Sequence, residues 1–515
     1  MKTNLRKHVL CHFTVLLLLG LMLLLVPAGL VSAAGRKQQL SRKRLSLNFH
    51  AGATVTLEGA DRNVRWSVSG KKLITVLERG KWRRKAKIRA GKTAGTCWLV
   101  AKSGKKTWKC IVTVRDPKAF HGKALSKETK KISAPYKAGA AKFRKPDKVF
   151  VSAVSDTSLR LLKEIVAKET GEDNILISPD SVLTALAMVE TGAAGKTRSE
   201  MADAMGGISA GKFRQYLASF HDTLTSASGT DYRIANSVWF RNDGEGLKEK
   251  YLQNTVTYFG AEIFAAPFDT KTLRDMNRWV YNRTRGKIPQ ILDRLDPEMR
   301  AVVMNAVYFK GDWMEPYEDT VSREFTDKNG KETKTQMLEG IESVYLQVGK
   351  GTGFVKPYQG GKIGFLGILP PEGTSAEAYL KSLTGKDLTD AWKKRKTSGV
   401  KVRTRMPVFK YEYNVSLANI LKKMGIRSAF TDNADFSRMS EEGIHIDDVL
   451  HRTYIDVNKT GTEAAAVTAV VMKANSAPGP KPQIKEVYLD RPFVYGLVDM
   501  DTGIPLFLGI VRTVG

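Results

Sequence analysis

The residue types that most often carry covalent or metal chemistry are scarce: seven histidines and three cysteines in 515 residues. No HExxH or CxxC spacing occurs, so zinc hydrolases and Cys/His zinc sites lack their signatures. An enzyme is not expected, and neither is a metal or cofactor. Three other patterns stand out. Gly461-Thr462-Glu463-Ala464-Ala465-Ala466-Val467-Thr468-Ala469-Val470-Val471 is a run of small and β-branched residues after a glycine, able to be an exposed segment or a strand. If it enters a sheet, Thr462, Ala464, Ala466 and Thr468 share one face, and their small size lets them pass beneath covering structure. Arg79, Lys81, Arg83, Arg84, Lys85, Lys87 and Arg89, with Trp82 among them, form the densest basic run. Such a field attracts polyanions with strong salt dependence, or it is simply a solvated face that keeps the protein soluble. Cys97 and Cys110 are the third pattern.

The length suggests two to four domains, and 42% hydrophobic with 26% charged residues is ordinary globular composition, which excludes general disorder, collagen-like repeats and a polytopic membrane protein. The formal charge of +31 is very unevenly spread. Residues 36–150 hold 32 basic against six acidic residues, whereas the 365 residues after them hold 48 against 46. Two differently built pieces have been joined.

Lys2, Arg6 and Lys7 precede an apolar run over 13–26, which Pro27 and Gly29 break before Val31-Ser32-Ala33-Ala34. That order reads as a secretory signal over 1–34, cleaved after Ala33 or Ala34; the alternative is an uncleaved anchor. Either way the rest is exported, to the medium or the cell surface. Cys11 leaves with the signal. The remaining pair, Cys97 and Cys110, flanks the turn Ser103-Gly104-Lys105-Lys106 and reads as a disulfide between the arms of a hairpin.

Residues 36–115 read as short strands at 46–49, 54–57, 64–68, 74–77, 97–101 and 109–114, a small antiparallel sandwich. Trp82 and Trp98 could be its core or could stack on bases. Export makes nucleic acid a poor natural ligand and leaves anionic cell-wall polymers or glycosaminoglycans. Through Ala51-Gly52-Ala53-Thr54-Val55-Thr56-Leu57, Val64-Arg65-Trp66-Ser67, Ile74-Thr75-Val76, Lys92-Thr93-Ala94-Gly95-Thr96 and Cys110-Ile111-Val112-Thr113-Val114, this stretch resembles the bacterial immunoglobulin-like domains (group 2) of surface proteins, which implies a bacterial source. Residues 116–150, with Pro117, Pro135 and Pro146 and no apolar period, read as a flexible or partly extended linker.

In residues 151–515, Leu159, Leu162, Ile165 and Val166 give an amphipathic helix, and Ser178-Pro179 starts another over 182–189. Strand-like runs at 233–240, 301–309, 402–408 and 453–457 and helical stretches at 273–285 and 415–423 alternate without a βαβ rhythm, so pattern alone gives a large mixed α/β domain. Motifs carry the reading further. Asn174-Ile175-Leu176-Ile177-Ser178-Pro179, Gly192-Ala193-Ala194-Gly195-Lys196-Thr197, Ala235-Asn236-Ser237-Val238-Trp239, Thr284-Arg285-Gly286-Lys287-Ile288, Asn305-Ala306-Val307-Tyr308-Phe309-Lys310-Gly311 with Trp313, Ala434-Asp435-Phe436-Ser437 and Asp490-Arg491-Pro492-Phe493 resemble the serpin family in order and spacing.

The resemblance implies a large central sheet, an exposed reactive loop and a monomeric inhibitor. A protease attacks the loop and forms the acyl-enzyme; the cut loop then inserts as a new central strand and distorts the tethered enzyme. It makes Gly461 to Thr468 the hinge: Gly461, Thr462, Glu463, Ala464, Ala465, Ala466, Val467 and Thr468. It places Ser178, Ser181, Asn305 and His451 where the sheet opens, with Trp313 at its top. The family interval from Gly461 puts the reactive bond between Asn475 and Ser476, with Met472, Lys473 and Ala474 as alternatives. The implied partner is an extracellular serine protease, elastase-like or subtilisin-like. One position departs from the family pattern: Lys459 stands where an acidic residue is usual, two residues before the hinge glycine. Its loss of a basic partner would loosen the top of the sheet unless another acid compensates.

Overall fold

A computed structural model describes residues 38–40, 44–48, 52–60, 64–77, 84–92, 95–115, 124–241, 246–296, 298–463 and 481–514. The expected signal segment and the basic-run residues Arg79, Lys81, Trp82 and Arg83 lie outside them. The chain forms two compact units, Met1–Pro117 and Lys118–Gly515.

Among the described residues, the first unit consists of β-strands. Strands Gln39–Leu40, Gly52–Glu58, Lys85–Ala90 and Ile74–Val76 make one four-stranded sheet; Arg44–Asn48, Lys106–Arg115, Gly95–Ser103 and Arg65–Val68 make the other. Period-two alternation explains the packing: along Lys85–Ala90, Lys85, Lys87 and Arg89 are exposed while Ala86, Ile88 and Ala90 are buried. Val55, Leu57 and Ile88 from one sheet and Leu99, Val112 and Leu45 from the other share one apolar core.

The expected disulfide between Cys97 and Cys110 is not present. Cys97 and Cys110 are both buried and not bridged. Cys97 lies opposite Val112 and Cys110 opposite Leu99, so the two thiols are diagonal neighbours across the hairpin. Diagonal Cα positions are about 7–8 Å apart, beyond the roughly 4.4–6.8 Å a disulfide spans. Burial raises the Cys97 thiol above its ordinary range, which keeps it protonated. Trp98 points the other way and is 43% exposed, so it is no part of the core.

The second unit begins with a segment read from sequence as a tether, and its described part is instead fixed to the large domain. Lys130–Lys131 pairs antiparallel with the strand Glu262–Ala266, and the Ile132 N–H donates to the Ile263 carbonyl at 2.8 Å. The Ser126 N–H (3.0 Å) and the Thr129 hydroxyl (2.6 Å) both donate to Oδ2 of Asp275, and so does the Ser126 hydroxyl. An open sheet edge and a buried carboxylate both require hydrogen-bond partners, and this short polar segment supplies them.

Three sheets follow. The six-stranded one, Ile175–Ile177, Pro505–Val511, Phe493–Asp499, Ile363–Leu369, Gly351–Pro357 and Val344–Val348, consists of nearly uninterrupted apolar runs because both faces are covered. The four-stranded one is Val321–Thr326, Glu332–Glu342, Val400–Pro407 and Gln483–Tyr488. The seven-stranded one runs Phe409–Ser416, Asp448–Val457, Gly461–Thr462, Ala301–Asp312, Thr230–Arg241, Glu262–Ala266 and Lys130–Lys131. The expected helix over 415–423 is shorter, Ala418–Lys423, because alternating Tyr411, Tyr413 and Val415 extend a strand paired along Asp448–Val457. The helix Lys148–Lys168 is capped by Asp147, whose carboxylate accepts the Val149 and Phe150 N–H groups at 3.0 Å. A further helix, Thr270–Arg283, lays Met276, Trp279 and Val280 on the seven-stranded sheet, in one cluster with Val302, Met304 and Leu450.

Candidate functional site

The centre of the seven-stranded sheet is a parallel pair, Ala301–Asp312 beside Asp448–Val457, and its pairing is incomplete. Residues 302–306 are in register with 448–452. Among the described residues, 307–310 have no ladder partner on that side, and 453–456 none on the facing side. At the open end sits the short strand Gly461–Thr462, antiparallel to both neighbours: Thr462 lies opposite Gly311 and Val457, and Gly461 opposite Asp312. The sheet is thus splayed over four residues on each strand, with the start of the small-residue run wedged at the mouth.

Below the gap a buried polar network closes the sheet. Asn305 sits in register between Asn236 and His451. Its amide donates to Asn236 Oδ1 at 2.6 Å and to the Ser181 carbonyl at 2.8 Å, and its Oδ1 accepts from the Ser181 hydroxyl. His451 Nδ1 lies 2.9 Å from Asn305 Oδ1, and its Nε2 accepts the Ser178 N–H at 2.9 Å. Those partners assign a neutral ring with the proton on Nδ1. Burial holds the His451 pKa down at about 3, so the ring stays neutral at physiological pH. The Ser178 hydroxyl donates to the Leu506 carbonyl at 2.7 Å rather than to the imidazole, and both residues are fully buried. Ser178 therefore has neither the base nor the access of a nucleophile.

Above the gap an aromatic cluster forms the lid. Trp313 stacks on Tyr358 with centroids 4.4 Å apart, and its Nε1 donates to the Asn458 carbonyl at 2.9 Å. Lys356 lies over the Tyr317 ring at 4.3 Å and pairs with Glu342 at 2.8 Å, both side chains buried. Burial pushes the Glu342 carboxyl up, and Lys356 opposes that. The Tyr358 hydroxyl is 2.5 Å from that of Thr462, which is only 2% exposed.

At Glu463 the backbone turns out of strand geometry, with φ at +56° in the left-handed region. The Glu463 N–H donates to the Asp456 carbonyl at 2.7 Å; its carboxylate pairs with Lys287 at 2.9 Å and accepts from the Tyr308 hydroxyl at 3.2 Å. Burial raises its carboxyl above the usual range, with Lys287 pulling the other way. The chain re-enters the described structure at Lys481 and joins a different sheet through Gln483–Tyr488, parallel to Val400–Pro407. The described chain thus leaves one sheet at Glu463 and resumes beside a second sheet at Lys481.

The family profile described as "Serpin (serine protease inhibitor)" matches residues 152–514. The chain is a serpin. It is 33% identical over 376 residues to an uncharacterized serpin-like protein of Thermococcus kodakarensis, covering 70% of this chain and 85% of that one. It is 31% identical over 377 residues to serpin B6 of Macaca fascicularis, covering 70% and 98%. The solved native-state structure of the thermophilic serpin tengpin matches with a TM-score of 0.69 and 35% identity, over 75% of this chain and 100% of that one. Serpins are generally protease inhibitors rather than enzymes.

In this serpin Ser178, Ser181, Asn305 and His451 converge in one network, Trp313 stands apart at the other end of the gap, and Gly461, Thr462 and Glu463 lie between. Ala464, Ala465, Ala466, Val467, Thr468, Met472, Lys473, Ala474, Asn475 and Ser476 lie outside the described residues. Lys459 is exposed, and the ion pair at this corner is instead Lys410 with Asp456, at 2.9 Å. That bond is the largest influence on Lys410 and raises its pKa, so the corner keeps a carboxylate, supplied three residues earlier. Sequence reasoning quoted Asn236 and Lys287 only as parts of motifs and did not find Tyr358, Lys356 or Glu342, because their partners are set by strand pairing rather than by spacing along the chain.

Proposed function

We propose that this serpin is a secreted suicide-substrate inhibitor of extracellular serine proteases. The observation that carries the reading is the four-residue gap between Ala301–Asp312 and Asp448–Val457, with Thr462 already wedged at its mouth. Cleavage after the hinge frees a segment whose inward residues would be Ala464, Ala466 and Thr468, small enough to follow Thr462 into the core face of the sheet, the side of the helix Pro179–Glu190 and opposite the helix Thr270–Arg283. Each backbone hydrogen bond gained is worth roughly 0.5–1.5 kcal/mol, so a full strand supplies a large driving force. The trap depends on the uncut state being held kinetically. The reactive bond is placed at Asn475-Ser476, with an elastase-like or subtilisin-like enzyme as the target class.

The signal over 1–34 would export the chain. The first unit, two four-stranded sheets around one core, supports the reading of 36–115 as an immunoglobulin-like domain of bacterial type. Its excess of basic residues suits it to hold the inhibitor on anionic wall polymers or glycosaminoglycans.

The test is incubation with elastase, subtilisin, trypsin and chymotrypsin, followed by denaturing gels and mass spectrometry. An SDS-stable complex and a released peptide beginning at or near Ser476 are expected. Clean cleavage that leaves the protease active would instead make the protein a substrate or binding serpin.

A further inference from the structure

The outward face of the sheet that contains Gly95–Ser103 carries an unusual combination of side chains. Trp98 lies there, 43% exposed, and the Lys109 ammonium sits over its ring at 5.6 Å from the centroid. Ile111 is opposite Trp98, and Val100, two residues along, is opposite Lys109. Both are half-buried, so indole and aliphatic surface form one small apolar platform. Lys102 continues the row, with Arg65 opposite it on the neighbouring strand, and both are exposed. Among the described residues no acidic side chain shares this face with Lys109, Lys102 and Arg65.

An exposed tryptophan costs solvation free energy that the fold has no need to bear, since the core of this unit lies on the opposite side of the sheet. Cations spaced by the strand repeat of about 3.3 Å per residue and the inter-strand distance of about 4.8 Å present charge to a polymer rather than to a single ion. The ligand must then offer both a flat C–H face and repeated negative charge.

We propose that this face binds an acidic polysaccharide, with one sugar ring stacked on Trp98 and its carboxylate or sulfate groups meeting Lys109, Lys102 and Arg65. The proposal rests on the reading of this unit as a polyanion anchor, and moves the contact from the basic run over 79–89 to a defined sheet face. Single-stranded nucleic acid also binds through an aromatic platform in a basic groove, so it is the competing ligand; the residues that extend the indole here, Ile111 and Val100, add C–H surface suited to a sugar ring. The Lys109 ammonium over the indole keeps a charge within reach of a ring stacked there.

The test uses the full chain and four probes: polygalacturonate for carboxylate sugars, heparin for sulfated ones, polyphosphate for charge without a ring, and oligo-dT for nucleic acid. Trp98→Ala is expected to weaken binding to one of the two glycans about tenfold with the salt slope unchanged, because stacking carries no counterion release. Trp98→Phe should retain part of that affinity. Lys102→Ala and Lys109→Ala should each lower the salt slope by about one. Trp98 points away from the core, so the thermal midpoint and protease trapping should stay at wild-type values. Equal glycan affinity in Trp98→Ala and wild type would overturn the proposal, as would polyphosphate binding as tightly as either glycan, or oligo-dT being preferred and lost in Trp98→Ala. Retention that survives Trp98→Ala but disappears when Lys85, Lys87 and Arg89 are all replaced by Ala would sink this face and leave the general anchoring reading standing. No retention of wild type on any polyanion would overturn both.

Discussion

His451 Nδ1 lies 2.9 Å from Asn305 Oδ1, a hydrogen bond between side chains that joins the two parallel strands just below the sheet opening. It requires a neutral ring that donates from Nδ1 and accepts at Nε2, and protonation would abolish the Nε2 contact with the Ser178 N–H. The folded pKa of about 3 lies below the ordinary value of 6.5. Between those values the unfolded chain binds a proton that the folded chain does not, so the contribution of this group to stability falls as pH drops from about 6.5. The slope is up to about 1.4 kcal/mol per pH unit for one proton. Thermal midpoints recorded from pH 7.5 to pH 4.5 should fall more steeply for wild type than for His451→Gln. Parallel curves would show that another group governs the acid side.

Thr462 is buried against Tyr358 at the mouth of the gap, the first position any inserting strand must fill. Thr462→Arg would place a charge where there is neither room nor water. It should abolish the SDS-stable complex and leave the chain cleaved by an active protease. Tyr358→Phe removes only the 2.5 Å hydroxyl contact and should keep trapping while changing its rate by severalfold. Wild-type trapping by the Thr462→Arg protein would rule out insertion from this hinge.

Asp275 binds the segment before the large domain to the helix that covers the sheet, accepting from both Ser126 and Thr129 while paired with Arg278 at 3.2 Å. Asp275→Ala leaves those donors unpaired and should cost on the order of 3 kcal/mol. It is expected to lower the thermal midpoint and speed proteolysis within 118–146. Hydrogen exchange at Ile132, whose N–H pairs with Ile263, gives the local readout.

Cys97 and Cys110 are buried and diagonal across their hairpin, so reductant should leave both the gel mobility and the thermal midpoint unchanged. Alkylation of both thiols should require denaturant. A two-thiol mass difference appearing only after reduction would establish a bridge and a different strand register.

The Ser178-Pro179 helix start and the strand at Asn305 were legible in the sequence because each depends on local chemistry: the fixed φ of proline and a continuous apolar, β-branched run. The same local rules gave the amphipathic helix that carries Leu159, Leu162, Ile165 and Val166 within Lys148–Lys168, but missed the alternating strand Lys85–Ala90, which read only as part of a basic run. They failed where pairing decided the outcome. Sequence spacing made Cys97 and Cys110 look like facing hairpin arms, but the register set opposite Val112 and Leu99 separates them. It made 116–150 look like a tether, but the open edge of Glu262–Ala266 and the buried Asp275 carboxylate recruit its described part. It made Lys459 look like a missing ion pair, but Lys410 reaches Asp456 instead. What the sequence determined was the family and the chemistry of each segment, because those are written in residues that are neighbours along the chain. Only the tertiary structure decided where the sheet stays open, which face Trp98 presents and which charges meet, because each depends on strands brought together from distant parts of the chain.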